Sequence, residues 1–163
     1  MLSAKITVNL ENHGKLRALL DGAESADSQE MLDYWARTYK SFTLLRFDIF
    51  AGGGGNWRKV TRETARRKGN TRILEDSREM RLELAEGIGV VDRDELSVTM
   101  GFTSEARHSN ANLNISELAT IHDRGEGVPK RRILVLPNDA VMRTLRGGTA
   151  KRMTRIADGR PRK

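Results

Sequence analysis

The chain is 163 residues long, contains no cysteine and has a formal net charge of +7. This length predicts one domain with a core of its own, and the lack of cysteine excludes disulfides, thiol catalysis and thiolate metal sites. No run of about 18 apolar residues occurs, so we expect neither a membrane span nor a secretory signal, and a protein of the cytosol. The positive charge is concentrated in residues 52–91, with nine basic and six acidic side chains, and in residues 138–163, with eight and two. Such regions attract anionic partners but do not distinguish nucleic acid from an acidic protein surface.

The first predicted elements are a strand and two helices. Residues 4–10 alternate apolar with polar side chains, which is typical of a half-buried strand, and a short helix is predicted over residues 16–22. The clearest helical pattern follows from Asp27 to Phe50, where Asp27 and Glu30 have the spacing of a reciprocal N-terminal cap. The predicted apolar face of this long helix consists of Met31, Trp35, Thr38, Tyr39, Phe42, Leu45 and Ile49.

A glycine run and a basic segment come next. The four glycines at 52–55 are expected to end the long helix, since each costs about 1 kcal/mol in a helix interior relative to alanine. A basic helix is predicted from Thr61, whose hydroxyl can cap its first turn, to Lys68, with Gly69 as its stop. Trp57 lies between the glycines and this helix, and we expect it to fill the core rather than to serve as a ligand platform.

The middle of the chain predicts a helix, a hairpin and a second short helix. Apolar residues recur every four positions over residues 76–88, as in a helix, and residues 95–102 alternate apolar and polar side chains as the second strand of a hairpin. Residues 103–113 lack periodicity and are predicted to form a long mobile loop. Asn114 and Glu117 then have the spacing of a capping box at the start of a short helix.

The C-terminal part predicts a last strand, a last helix and a tail. Residues 131–136 form an apolar run that indicates the strand. Asn138 is the expected cap of the helix, and Gly147 and Gly148 are its expected end. The remaining residues are basic and poor in large apolar groups, so we expect them to be disordered unless a partner orders them.

These elements predict an α+β fold. A mainly antiparallel sheet is expected to pack with a long N-terminal amphipathic helix and several short helices. The predicted single domain covers residues 1–148, and residues 149–163 form the basic C-terminal tail.

The sequence offers no chemistry that predicts an enzyme. A phosphate-binding loop needs a second glycine at the sixth position of its motif, and counting from Gly52 as the first, that position is Trp57; the dinucleotide fingerprint fails for the same reason. The three histidines, His13, His108 and His122, have no metal-ligand spacing. His122 and Asp123 are adjacent, but neighbours on a helix face different directions, so a helix-end histidine is the favoured interpretation. We therefore expect no catalytic residue, cofactor or metal.

Nucleic-acid binding is the alternative from a different class. Arg62 and Arg66 lie one helical turn apart in a segment rich in arginine and lysine, so they could reach successive phosphates. The aromatic content is only 5% and no nucleic-acid motif is recognisable, so a solvated charged face is the simpler interpretation of this segment. A small basic nucleic-acid-binding protein remains the alternative.

A series of short motifs follows the glycine run in a fixed order. The first, a tryptophan-led motif with a later lysine, consists of Trp57, Val60, Thr61, Thr64 and Lys68; an apolar pair and a helix start follow at Ile73, Leu74, Ser77 and Met80. The later motifs consist of Leu118, Ala119, His122 and Gly125, then Val128, Pro129 and Arg131, with Asp139 opening the last helix.

In this order the motifs resemble those of the tail-completion or virion-morphogenesis proteins of tailed bacteriophages. In that family the corresponding patterns are Trp-x-x-Leu-Ser-x-x-Thr, an Ile-Leu pair, a Thr-Gly-x-Leu helix start, Tyr-Ala-x-x-His-x-x-Gly and Ile-Pro-x-Arg. The chain departs from them in having Val60 and Thr61 in place of Leu-Ser, Arg78 in place of a glycine, and a basic pair after Pro129. The resemblance is spread over most of residues 28–147.

The resemblance implies a structural virion protein at the head-proximal end of the tail, in the neck. Such a protein forms a ring, expected to be hexameric, that completes the tail tube and joins it to the head. The implied partners are copies of itself, tail-tube and possibly sheath proteins, and a head-tail connector or stopper protein. Genomic DNA is implied only as transiting cargo, and no membrane is involved. The protein would be assembled in the cytoplasm of the host bacterium; another head-tail connector, an adaptor or a stopper, is the alternative within this class.

Two sets of residues follow from these interpretations. The candidate interface residues are Gly52, Gly53, Gly54, Gly55, Arg62, Arg66, Arg131, Arg132, Lys151, Arg152 and Arg155. The residues expected to be structural are Trp57, Thr61, Ile73, Leu74 and Pro129. A ring lumen that passes DNA cannot be strongly basic without gripping it, so the basic tail is expected on an outer or docking surface.

Overall fold

The computed structural model describes residues 5–9, 25–75, 78–94, 97–109 and 112–158. In this part of the chain there are five helices, α1 Ser25–Ala51, α2 Arg62–Lys68, α3 Glu79–Glu86, α4 Ile115–Arg124 and α5 Asp139–Ala157. The three strands are β1 Lys5–Asn9, β2 Ile88–Arg93 and β3 Ser97–Phe102. The predicted α+β class, with a long N-terminal helix, is confirmed. The helix predicted over residues 16–22 lies outside the described residues.

The sheet has the order β1-β3-β2, and both pairings are antiparallel. The central strand β3 places Val98 and Met100 in the core, as its alternating pattern predicts. The predicted hairpin is the pairing of β2 with β3, which shifts register between Val90 and Asp92. Such a bulge interrupts the free edge of β2 and makes it a poorer template for unwanted strand pairing.

Helix α1 is the main support of the core. Its buried residues recur every four positions and form the stripe Met31, Trp35, Tyr39, Thr43, Phe47 and Ala51. Leu45 and Ile49 are two positions out of step with this stripe, which places them about 200° away around the helix. Their assignment to the buried face was wrong: Leu45 is 62% and Ile49 is 47% exposed.

The glycine run forms a Schellman cap at the end of α1. The Gly53 amide donates to the Phe50 carbonyl at 3.1 Å, and the Gly54 amide donates to the Ile49 carbonyl at 2.9 Å. Gly53 has a φ of 88°, which disfavours any residue with a side chain. The Ala51 carbonyl accepts a hydrogen bond from the amide of Ile73, 2.8 Å away. The glycines therefore end the helix as predicted and tie it to the chain beyond α2.

The strand predicted over residues 131–136 is wrong, because this segment has no regular secondary structure. Ile133 and Leu134 are buried, as their apolar character predicts. However, the Arg46 guanidinium donates through Nη1 to the carbonyls of Arg132, at 2.7 Å, and Ile133, at 3.3 Å. A side chain on α1 thus takes the place of a neighbouring strand as the hydrogen-bond partner.

The predicted end of the last helix at Gly147 and Gly148 is also wrong, because α5 continues to Ala157. Thr149 is buried and accepts a hydrogen bond from the Trp35 indole Nε1 at 2.8 Å. At Gly148, a side-chain Cβ would lie 2.0 Å from the Tyr34 hydroxyl oxygen. This glycine therefore permits close packing of α5 on α1 instead of ending the helix, and the first residues of the predicted tail are helical.

Alanine substitutions at the two adjacent glycines are expected to have opposite effects on stability. A Cβ at Gly147 would meet no atom within 4 Å, so Gly147→Ala should raise the free energy of unfolding by about 0.5–1 kcal/mol. Gly148→Ala should lower it by about 1–3 kcal/mol, because the Tyr34 ring must move. Urea denaturation followed by circular dichroism measures both changes. Equal effects of the two substitutions would contradict the proposed packing.

Candidate functional site

The carboxyl end of α1 is organised around Trp57, which is only 6% exposed. Its ring meets Phe47 and Phe50 edge to face, with centroids 5.7 and 5.3 Å away. The Arg46 guanidinium lies over the Phe50 ring at 4.2 Å. The prediction that Trp57 fills the core is confirmed. The ring connects the glycine cap to the start of α2 and fixes the position of both.

Helix α2 has the predicted ends. The Thr61 hydroxyl accepts a hydrogen bond from the Thr64 amide at 3.1 Å, and Gly69 ends the helix in the left-handed conformation. The Lys68 ammonium donates to the Arg72 carbonyl at 2.7 Å and holds the following turn. None of the α2 residues is buried, so its other basic side chains face solvent.

Seven exposed cations form what we call the basic surface. Its members are Arg58, Lys59, Arg62, Arg66, Arg67, Lys130 and Arg132. Among the described residues, none of these seven side chains has a hydrogen-bonding or ion-pairing partner. The two segments that contribute them adjoin, because Nη2 of the Arg131 guanidinium donates to the Arg58 carbonyl at 3.3 Å. The predicted interface residues Arg62, Arg66 and Arg132 belong to this surface.

Arg131, in contrast, is an interior residue with only 7% exposure. Its Nη1 lies 3.4 Å from Nδ1 of His122, which is also buried, and its Nε has no hydrogen-bond partner in the described structure. Burial and the nearby Arg58 both lower the pKa of Arg131. Burial and then Arg131 lower the pKa of His122 to about 4, which a hydrogen bond to the backbone of Pro129 only partly opposes. The imidazole is therefore neutral at pH 7. Arg131 is buried next to the segment that carries the basic surface, to which it donates a hydrogen bond at the Arg58 carbonyl.

A cleft of about 500 Å³ separates the glycine cap from α2. Lys59 and Arg62 provide its charged lining, and Thr71 contributes a hydroxyl. The remaining lining consists of Gly52, Gly53, Val60, Ala65 and Ile73. The predicted interface glycines thus lie beside predicted interface cations, and no carboxylate lines the cleft among the described residues.

The other large exposed feature at this end of the molecule is an apolar patch formed by Leu45, Ile49 and Leu82. Leu82, on α3, is 52% exposed. The residue before it, Arg81, forms a bidentate ion pair with Asp48 on α1, with distances of 2.7 and 2.9 Å. This ion pair joins the two helices that carry the three aliphatic side chains, and Asp48 lies next to Ile49 and one helical turn from Leu45 along α1. We keep the name apolar patch for these three residues.

The predicted interface residues on α5 divide into two groups. Lys151 is exposed. The Arg152 guanidinium stacks on Tyr34 at 3.9 Å and its Nε lies 3.6 Å from the Glu30 carboxylate, which also pairs with Arg155. Arg152 and Arg155 therefore hold α5 against α1, and they are not free surface cations.

Four of the five residues predicted to be structural, Trp57, Thr61, Ile73 and Leu74, lie in the core or cap a helix. Ile73 is buried and Leu74 packs against the core with a positive φ of 58°. The apolar patch and the role of Arg46 were not predicted. One feature of the α1 sequence could have predicted the exposure of Leu45 and Ile49. Neither residue belongs to the four-residue repeat that runs through Met31 and forms the buried stripe.

The arrangement consists of an exposed basic surface, a cleft and exposed aliphatic side chains. Among the residues that the structure describes, no group of three or more histidine or acidic side chains could hold a metal ion. His108 lies 3.5 Å from Glu79, whose carboxylate also accepts a hydrogen bond from the Ser109 amide; these contacts hold a loop on α3. No helix in the described ranges is long and apolar enough to span a membrane. No protein-family model, curated protein or solved structure matches the chain.

Proposed function

We propose that this chain is a structural virion protein that forms a ring at the head-proximal end of a phage tail, completes the tail tube and joins it to the head. The apolar patch is the observation that carries the proposal. Three large aliphatic side chains, 47–62% exposed and carried by two packed helices, offer a surface that favours covering by another protein chain. A self-assembling ring provides such a cover.

The residues that carry the resemblance to tail-completion proteins support this proposal because their roles are architectural. Trp57 and Ile73 lie in the core, Thr61 caps α2, and Gly125 ends α4 in the left-handed conformation. A ring component needs a rigid scaffold that presents surfaces to its neighbours. The exposed surfaces at the carboxyl end of α1 are available for such contacts.

The apolar patch also suits a ring in its geometry. A contact of the apolar patch with a different surface of the next copy is heterologous, and such contacts close into a ring when the rotation permits. The resemblance favours six copies. Tail-tube and sheath proteins, and a connector or stopper protein, would cover the two faces of the ring while genomic DNA passes through it.

The double variant Leu45→Glu/Ile49→Glu is expected to abolish ring assembly. Two carboxylates buried in the contact would raise the dissociation constant between copies by at least about 100-fold. Mass photometry of the purified full-length chain measures the distribution of oligomers. We expect discrete closed oligomers for the wild type and monomers for the variant, with unchanged circular dichroism.

Leu136→Glu is the matched control, because Leu136 is 75% exposed and lies in a segment outside the apolar patch. This variant should assemble like the wild type. A wild-type chain that is monomeric at all concentrations, or a double variant that still forms rings, would contradict the role of the patch.

The position in the particle tests the biological role directly. Antibodies against the chain should label the junction of head and tail in the phage particles that contain it. Loss of the protein should produce unjoined heads and tails of abnormal length. Joined particles with normal tails would refute the proposal, and heads that lose their DNA would point to a stopper instead.

A further inference from the structure

We infer that the basic surface binds double-stranded nucleic acid through its phosphate backbone, without reading its sequence. The starting observation is the contrast with two cations of α5, Arg152 and Arg155, which pair with Glu30. The seven cations of the basic surface have no such partner among the described residues. In the segment from Arg58 to Lys68 the sole acidic side chain is Glu63. Like charges at this density repel one another, so a polyanion that covers them is favoured.

The local structure holds these cations in place for a ligand. Arg62 and Arg66 lie one turn apart on α2, which separates them by about 6 Å along the helix. Phosphates of one DNA strand follow each other at about 3.4 Å along the duplex axis, so the two guanidinium groups can each reach a different phosphate. The Thr61 cap and the contact of Lys68 with the Arg72 carbonyl fix both ends of α2. The backbone of α2 therefore needs little further ordering when a ligand binds.

The buried Arg131 adds its positive charge to that of the basic surface. Its guanidinium is buried and donates to the Arg58 carbonyl, and no carboxylate pairs with it in the described part of the chain. Burial and then the neighbouring Arg58 lower the pKa of Arg131, as expected for a buried cation close to another positive charge. This buried cation strengthens the field at Arg58 and Lys59 and orients the backbone that carries them.

The composition of the surface favours nucleic acid over an acidic protein. Protein interfaces are depleted of charged residues at their centres, whereas interfaces with DNA are polar and strongly positive. A double strand is favoured over a single strand because single-strand binding uses exposed aromatic rings for stacking. Among the described residues, the large hydrophobic side chains that are exposed are all aliphatic. The ring proposed above does not require this activity, so the two proposals are independent.

The test measures binding of the full-length chain to a fluorescein-labelled 30-base-pair DNA duplex by anisotropy, between 50 and 300 mM NaCl. The affinity should fall steeply with salt, with a log-log slope of about −4 to −6 if five to seven cations neutralise phosphates. The triple variant Arg58→Gln/Arg62→Gln/Arg66→Gln should bind about 100-fold more weakly and show a slope that is shallower by about 2.7.

A second triple variant on α5 provides the control with the same change in net charge. Arg143, Arg146 and Lys151 are also exposed and lack partners among the described residues. Their replacement by glutamine should leave the affinity within about threefold of the wild type. Equal losses in the two triple variants would overturn the assignment of the site, because net charge alone would then explain binding.

Competitors identify the ligand class. Duplex RNA should compete with the labelled DNA because it presents the same phosphate chemistry, and single-stranded DNA should compete more weakly. Absence of duplex binding at 50 mM NaCl would overturn the inference. Stronger competition by poly-L-glutamate than by duplex DNA would overturn it in favour of an acidic protein partner. None of these outcomes bears on ring assembly, which is tested separately by mass photometry of the Leu45→Glu/Ile49→Glu variant.

Discussion

The variant Trp57→Ala is expected to unfold with a free energy about 3–5 kcal/mol lower than that of the wild type. The indole is almost fully buried and packs edge to face against Phe47 and Phe50. Its removal leaves a cavity between the glycine cap and the start of α2, and it also removes the neighbour of Arg46. Urea denaturation followed by far-ultraviolet circular dichroism measures the loss without depending on tryptophan fluorescence.

Trp57→Phe separates the packing of the ring from other effects. Phenylalanine retains an aromatic ring against Phe47 and Phe50, so this variant should lose about 1–2 kcal/mol. A loss below about 1 kcal/mol for Trp57→Ala would mean that the indole does not fill the core. In that case a role for Trp57 in contacting a ligand or a partner would have to be reconsidered.

The second large effect is a loss of stability as the pH falls from about 6.5 to about 4, caused by His122. Burial and the neighbouring Arg131 lower the pKa of this imidazole to about 4 in the folded protein, from 6.5 in the unfolded chain. Between these values the unfolded state binds more protons than the folded state, so stability rises with pH. The contribution of His122 is complete above pH 6.5 and is lost as the pH falls through this range. The largest loss is about 3 kcal/mol, since each pKa unit corresponds to about 1.4 kcal/mol.

The variant His122→Asn isolates this contribution. Asparagine does not titrate, and its side-chain oxygen can accept the hydrogen bond that Nδ1 now receives from Arg131. Carboxylates also titrate near pH 4, but they are common to both proteins and cancel in the difference. The difference in free energy of unfolding between the two proteins should change by up to about 3 kcal/mol between pH 7 and pH 4. Parallel profiles would show that His122 is not kept neutral by its surroundings.

The two surfaces at the carboxyl end of α1 suit different partners. The apolar patch is carried by α1 and α3, which the ion pair of Asp48 with Arg81 joins, and the basic surface includes the exposed cations of α2. The glycine cap is next to both, because Gly54 packs against Ile49 while Gly52 and Gly53 line the cleft beside Lys59. A copy of the chain bound at the patch and a duplex bound at the basic surface would therefore contact neighbouring parts of the molecule.

Local chemistry made several elements predictable from the sequence. Thr61 and Gly69 bound α2 because a hydroxyl cap and a left-handed glycine act within a few residues of the helix ends. The alternating residues of β3 and the capping box of α4 are confirmed for the same reason. The density of positive charge that supports the nucleic-acid inference is likewise a property of the sequence.

The tertiary structure decided which side chains are exposed and which basic side chains have an ion-pair partner. Sequence alone cannot show that Glu30 pairs with Arg155 across 125 positions, or that Arg131 enters the interior while Arg132 stays exposed. Residues 131–136 have the composition of a strand, but they join no sheet among the described residues, and Arg46 donates to two of their carbonyls. Gly148 has the residue type expected at a helix end, but the helix continues past it and Tyr34 packs against it. Caps and alternation depend on neighbours in the chain, whereas burial and charge pairing depend on residues that only folding brings together.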